Sequence, residues 1–399
     1  MAEKLRLTVA CGDYEIVRAL KEGTVKADGL ELVVLTGMGP RERHWRMARK
    51  AEFDVCEANV GAYFMERDHG AALASEASGQ RGNSIVRAHS ASEDARERAD
   101  DTRPEPGSSA QAALASEASG QRGDSIARAP DTRPEPGSSA RVALTAIPVF
   151  LHRRFRHGFL FVNAKAGIRE PKDLVGKKVG GTNFQPASNI WMRGILEEEY
   201  GLPHRQVTWL VERSEDVAFT PPKDLRIEMI APGKKLDQML AEGEIPAMLS
   251  PDLPKLFLKG DQRIVRMFPN YKEIELAYFR KTGIFPIMHV TTIKQEIVDK
   301  YPWVPTNLVK AFEEAKTVAY RRIANPRVVP LAWVRTAVEE QEQVLGPDPW
   351  TYGLGAANRK NLETVLRYTH QQGMISRTWP LDELFADTDL GDAGGSDAI

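Results

Sequence analysis

Cysteine is scarce in this chain, with two in 399 residues, Cys11 and Cys56. Two thiols cannot frame a disulfide scaffold or fill a four-ligand zinc site, and so low a number suits a reducing compartment. Long apolar runs are missing as well, since no stretch approaches the roughly 18 residues that span a bilayer. No apolar export segment precedes the first predicted strand, so a cytoplasmic protein is expected. A surplus of either charge is also lacking. The 54 Lys and Arg offset 55 Asp and Glu to leave a net charge of -1, so no global field gathers nucleic acid or an anionic membrane. His-x-x-x-His pairs, Gly-x-Ser-x-Gly elbows and clustered Cys/His spacings are absent, which leaves zinc hydrolysis and serine-type catalysis without support.

What the chain does have is length for two domains and a 42% hydrophobic share, adequate for packed cores. It opens on an alternating strand, Leu5 to Ala10, that runs through Cys11-Gly12-Asp13-Tyr14 into a helix-like Glu15 to Lys21. The crevice beyond the carboxyl end of such a strand, beside a helix N-terminus, is the usual ligand site of an open α/β sheet. Residues 71–141 contrast with this, being rich in Ala, Ser, Gly, Arg and Pro and poor in large apolar side chains. Ala71 to Ala88 recurs as Ala112 to Ala129 with two changes, and Asp101 to Ala110 recurs unaltered as Asp131 to Ala140. This duplicated cassette lacks the stacking apolar positions of a solenoid and reads as a disordered surface insertion.

With the insertion set aside, strand and helix patterns alternate, which argues for mostly parallel sheets. Strands are expected at Glu52 to Val60, Val142 to Leu151, Gly158 to Asn163, Lys178 to Gly180, Val207 to Val211, Ile245 to Leu249 and Phe285 to Ile293. Helices are expected at Pro186 to Tyr200, Lys234 to Glu242, Thr306 to Ile323, Val328 to Leu345 and Ala356 to Gln372. The chain crosses between two α/β lobes near Phe150 to Phe159 and returns near Tyr278 to Phe285, forming a cleft that closes by hinge motion. The first lobe is then 1–70, 142–152 and 284–388, the second 153–283, and 389–399 a flexible tail.

Several segments carry a family resemblance. Ala10-Cys-Gly-Asp-Tyr14, Glu52-Phe-Asp-Val55, Ala146-Ile-Pro-Val-Phe150 followed by Arg153 to His157, Asp173-Leu-Val-Gly-Lys-Lys-Val179, Gly283-Ile-Phe-Pro-Ile-Met-His289 and Trp350-x-Tyr352-Gly353 resemble the 4,5-dihydroxyphthalate decarboxylases. That resemblance covers nearly all of the chain outside the insertion. It implies a two-lobed fold like the type 2 periplasmic binding proteins, and a small aromatic carboxylate as partner. The activity implied is decarboxylation of a hydroxylated aromatic dicarboxylate, 4,5-dihydroxyphthalate giving 3,4-dihydroxybenzoate. The rival reading is a solute-binding protein that captures a small organic acid for a transporter or sensor. A homo-oligomer is compatible with either.

Such a decarboxylation needs no electron-sink cofactor, because the ring is its own sink, and neither cofactor nor metal is expected. It needs cations for the carboxylates and groups that move protons. His289 is the first candidate for proton transfer because it ends an apolar stretch at the return crossing and histidine changes charge near neutrality. A core histidine bonded to a backbone carbonyl is the plainer alternative. His157, at the first crossing, and Glu57, at a strand end, are the other catalytic candidates. Arg18, Arg154, Arg156 and Arg193 are candidate carboxylate forks, with Arg153 expected on the opposite strand face from Arg154 and Arg156. Gly180 to Ser188 joins a strand to a helix and offers an anion cradle with Thr182, Asn183, Gln185 and Ser188, while Trp191 is either a platform for an aromatic ring or a core side chain. Asp13, Tyr14 and Asn59 complete the strand-end candidates.

Overall fold

The computed structural model describes residues 4–70 and 142–388. The duplicated cassette and the terminal tail lie outside the described residues. In the first lobe, the alternating strand β1 (Leu5–Ala10) leads into α1 (Glu15–Lys21), then β2 (Leu30–Leu35), α2 (Pro40–Lys50), β3 (Val55–Asn59), a helix α3 described over 60–70, and β4 (Leu144–Ile147). The second lobe carries β5 (Leu160–Asn163), β6 (Lys178–Gly181), α4 (Ala187–Tyr200), β7 (Thr208–Val211), β8 (Arg226–Met229), α5 (Leu236–Glu242), β9 (Ala247–Leu249), α6 (Lys255–Leu258), β10 (Ile264–Arg266) and α7 (Tyr271–Thr282). The chain then re-enters the first sheet as β11 (His289–Lys294) and closes with α8 (Gln295–Lys300), α9 (Val304–Ala324), α10 (Val334–Leu345), α11 (Ala356–Gln371) and α12 (Leu381–Leu384).

Two sheets result, in strand orders β2-β1-β3-β11-β4 and β10-β5-β9-β6-β7-β8. The expectation of mostly parallel sheets is met by a narrow margin, since five of the nine strand pairings are parallel and four antiparallel. One strand in each sheet runs against the rest, β11 in the first and β5 in the second. Both are the first strand after a crossing. A strand delivered from the other lobe starts where its neighbours end, so its amino end meets the carboxyl ends of the others. That reversal puts His289, the first residue of β11, beside the carboxyl ends of β1 and β3.

The crossings themselves pair with each other. Arg153 and Ile287 form an antiparallel bridge, and the His152 carbonyl accepts from the amides of Met288 (2.9 Å) and His289 (3.3 Å). Trp191 from α4 is fully buried and donates through Nε1 to the Ile287 carbonyl at 2.8 Å, fastening the second lobe to the return crossing. Gly61, at the start of α3, is held against α4; a Cβ there would lie 2.3 Å from Ile190 Cδ1. Arg41 of α2 reaches Asp216, in the loop after β7, at 3.4 Å. The lobes are therefore in contact on both sides of the sheet ends. No helix among the described residues is long and apolar enough to cross a membrane.

Candidate active site

The antiparallel ladder between β3 and β11 sets Glu57 opposite Thr291 and His289 opposite Asn59. Residues two apart share a strand face, so Glu57 and His289 are diagonal neighbours on one side of the sheet. Glu57 is 1% exposed and His289 Nδ1 lies 2.5 Å from its Oε1. The same oxygen accepts from the Tyr14 hydroxyl at 2.8 Å, while Oε2 accepts from the Gly12 amide at 2.7 Å and from Arg43 Nη2 at 2.6 Å. Burial alone would push this carboxyl up, but His289, Arg43 and Tyr14 together hold it down, to about 2. A buried carboxylate at the centre of four donors is a fixed charge. With Nδ1–H directed at it, His289 presents Nε2 for proton handling.

Each partner arrives for a local reason. Gly12 follows β1 and lacks the side chain that would obstruct the Tyr14 ring, which lies over it; a Cβ there would be 2.4 Å from Tyr14 Cζ. Pro40 begins α2, and Arg43 one turn later points inward, donating also to the Met38 carbonyl at 3.2 Å. His152, on the first crossing, stacks 6.3 Å from Tyr14 and meets His289 edge-on at 4.8 Å between ring centroids. Burial, reinforced by His289 and Arg154, pushes the His152 imidazole down to about 3, which favours its neutral form. A cavity of about 1370 Å³ opens beside these groups, lined by Tyr14, His152 and Arg154 and with Phe155, Phe285 and Trp350 among its walls. Arg154 is held by long contacts, 3.3 Å to Asp252, itself largely exposed, and 3.5 Å to the Pro251 carbonyl.

The other residues singled out in the sequence are placed differently. Asp13 lines the cavity rim and is ion-paired to Lys21 at 2.8 Å. Asn59 caps α3, its Oδ1 accepting from the amides of Gly61 and Ala62. Arg18 is spent on the α1 surface, paired with Glu22 and Glu15. The extended crossing segment turns Arg154 and Arg156 to one side, both over the Phe159 ring, and Arg153 to the other, against Asn358. Arg156 is buried and bound to the carbonyls of Ser250 and Pro251. His157 is 1% exposed among Tyr200, Phe268 and Tyr278, with neither ring nitrogen hydrogen-bonded; it is no part of the His289 cluster, and burial pushes it down to about 4.

The anion cradle after β6 is already filled by the chain. Glu215 accepts from the amides of Phe184 (2.6 Å) and Gln185 (3.0 Å) and from Asn183 Nδ2 (3.3 Å). Gln185 is bound through both ends of its amide to the Val217 backbone. Arg193 is buried over the Phe184 ring and donates to the Phe184 carbonyl and to Gln372. Trp191 is a core side chain that ties the lobes. Thr182 contributes its carbonyl to the Glu212 amide, and the Ser188 hydroxyl is buried without a hydrogen-bond partner. Both cysteines are free and buried. Among the described residues no group of three or more His, Cys, Asp or Glu is arranged to hold a metal ion.

Comparison with known proteins bears on what this cluster does. A 4,5-dihydroxyphthalate decarboxylase of Comamonas testosteroni is 27% identical over 390 residues, covering 96% of this chain and 96% of that protein. The chain resembles the 4,5-dihydroxyphthalate decarboxylases. A second such enzyme, from Pseudomonas putida, is 25% identical over 271 residues, 66% of this chain and 78% of that one. No family model matches. Among solved structures, the periplasmic aliphatic sulphonate binding protein SsuA of Escherichia coli aligns with a TM-score of 0.47 at 10% identity, over 97% of this chain and 93% of that one. The alkanesulfonate-binding protein SsuA of Xanthomonas axonopodis pv. citri, bound to MOPS, gives 0.45 at 11% identity over 94% and 95%.

Proposed function

We propose that this protein decarboxylates a hydroxylated aromatic dicarboxylate, 4,5-dihydroxyphthalate giving 3,4-dihydroxybenzoate. The observation that carries this reading is the Glu57–His289 pair, a fixed carboxylate and an imidazole with one nitrogen left for proton transfer, next to an aromatic-walled cavity. The resemblance to the two named decarboxylases supports the substrate. Glu57 acts through His289 and does not touch the ring, since its oxygens are committed to protein donors. Its role is to hold Nδ1 and to balance the charge on His289 while that residue carries a proton. Arg154 is the carboxylate receptor in this reading, because its guanidinium lines the cavity, its polar contacts to Asp252 and the Pro251 carbonyl are long, and it forks onto both oxygens of a carboxylate. His157, Arg156, Arg193 and Trp191 hold the frame.

Loss of one carboxylate as carbon dioxide requires that a proton take its place on the ring. The deprotonated hydroxyl para to the leaving group sends an electron pair toward that carbon, His289 protonates it, and the carbon–carbon bond breaks with its electrons restoring the aromatic ring. Acid–base help of this kind is worth about a hundredfold to ten-thousandfold. A cytoplasmic setting goes with this reading. The test is carbon dioxide release from a panel of aromatic dicarboxylates, with and without chelator. Release from 4,5-dihydroxyphthalate is expected, and tight binding without release would instead favour a capture protein.

A further inference from the structure

Decarboxylation of a dihydroxylated ring moves protons at two places on opposite sides of that ring, at the hydroxyl and at the carbon that loses its carboxylate. The Glu57–His289 pair serves one of them. We infer that His152 serves the other, as the base that takes the proton of the hydroxyl para to the departing carboxylate. This rests on the proposed decarboxylation.

The two imidazoles form one contiguous pair, since His152 and His289 meet edge-on, 4.8 Å apart between centroids with their planes at 77°. Their relative position is fixed by the main chain, since the His152 carbonyl accepts from the His289 amide. His152 lines the cavity, and its Nδ1 is buried without any hydrogen-bond partner. Its neighbours differ from those of His289. Tyr14 stacks on it, Arg154 and Arg156 lie to its C-terminal side, and the carboxylate of Glu57 is engaged by His289. These surroundings favour its neutral form, the one that can accept a proton, and the two negative charges of a dicarboxylate would favour its protonated form once the proton is taken.

The steps balance. Neutral His152 accepts the hydroxyl proton, and the oxygen pair conjugates into the ring. His289 gives a proton from Nε2 to the carboxyl-bearing carbon, whose bond to the carboxylate then breaks to release carbon dioxide. His152 returns its proton to the phenolate oxygen, and His289 takes one from solvent, the single proton consumed per turnover.

The experiment compares His152→Gln and His289→Gln on 4,5-dihydroxyphthalate and on a ring-fluorinated analogue whose hydroxyl ionises more readily. Both variants are expected to lose about a hundredfold or more in kcat on the parent substrate. The fluorinated substrate recovers most of that loss in His152→Gln and little in His289→Gln, because only the first lacks a base for the hydroxyl. Equal recovery in the two, or unchanged kcat in His152→Gln, overturns the assignment. Should His152→Gln fold poorly by circular dichroism, His152→Ala supplemented with free imidazole replaces it; rescue of turnover supports the role, and a folded variant that imidazole does not rescue opposes it. An unmodified protein that releases no carbon dioxide sinks the functional reading itself, a result separate from all of these.

Discussion

The ring of Tyr14 lies directly over Gly12, so close that any Cβ on residue 12 would sit 2.4 Å from Cζ. The phenol can reach Glu57 only because that position is bare, and the Gly12 amide donates to the same carboxylate. Gly12→Ala is therefore expected to displace the ring and to cost about 1–3 kcal/mol of stability through overpacking. Tyr14→Phe, which removes one hydrogen bond and keeps the ring, is expected to cost about 1 kcal/mol. Urea unfolding of both variants checks the order; a Gly12→Ala protein as stable as Tyr14→Phe or more so would refute the packing argument.

Arg43 and Glu57 are an ion pair with side chains 1% and 0% exposed. Removing one member strands the other in a dry environment, which typically costs about 3–5 kcal/mol. Arg43→Met should show a loss of that size in denaturant unfolding. Adding Glu57→Gln should recover part of it, so that the double variant is more stable than the two single losses predict. Simple additivity would mean that the pair is not coupled.

How much of this was legible beforehand follows from what a pattern can carry. The course of β1 and β3 was readable, so Tyr14 beyond one and Glu57 within the other could be singled out, and the apolar run before His289 marked the return crossing. Arg43 could not be found, because α2 reads Pro-Arg-Glu-Arg-His-Trp-Arg and resembles a solvated helix until its fourth residue is seen to be buried. His152 was hidden in a basic stretch for the same reason. The strand-to-helix junction at 180–188 marked a place with free donors, which here are the amides of Phe184 and Gln185 and the Asn183 side chain. No local signal reveals that Glu215, about thirty residues on, folds back to occupy them. The parallel bias of alternating strands and helices likewise says nothing of the one strand per sheet that a crossing must reverse.

Glu215 supplies a third prediction. Its carboxylate satisfies two backbone amides, and Glu215→Ala leaves buried donors unpaired at about 1–3 kcal/mol for each. The variant should be destabilised in thermal unfolding. Added acetate or formate should restore part of the melting temperature by occupying the vacated cradle; no anion-specific recovery would count against that account.

Glu275 lines the cavity, accepts from the Gly158 amide at 3.1 Å, and has its carboxyl raised by burial to about 7, against partial opposition from that bond and Arg156. The native state therefore binds a proton more tightly than the unfolded chain does. Stability from this group is complete below its ordinary value near 4.5 and is lost as pH rises through about 7. Glu275→Gln should flatten the fall in stability between those pH values. Glu57 has the opposite sign. Its contribution is present above the ordinary carboxyl value and disappears as pH falls toward about 2, so Glu57→Gln should blunt acid unfolding. Urea midpoints measured across pH 2–8 separate the two slopes.

Arg154→Met should raise KM for a dicarboxylate at least about tenfold, with Arg154→Lys intermediate, because a single ammonium replaces one of the two bonds of the fork. Steady-state kinetics decide it, and a KM unchanged by both substitutions would remove Arg154 from the binding site.

The ladder that joins β3 to β11 has one more consequence. Glu57 and His289 sit on adjacent strands of a single sheet although they are 232 positions apart in the chain. Their distance is set by main-chain hydrogen bonds within that sheet. Any displacement of one lobe against the other would therefore move the walls of the cavity and leave this pair assembled, because both members belong to one hydrogen-bonded ladder.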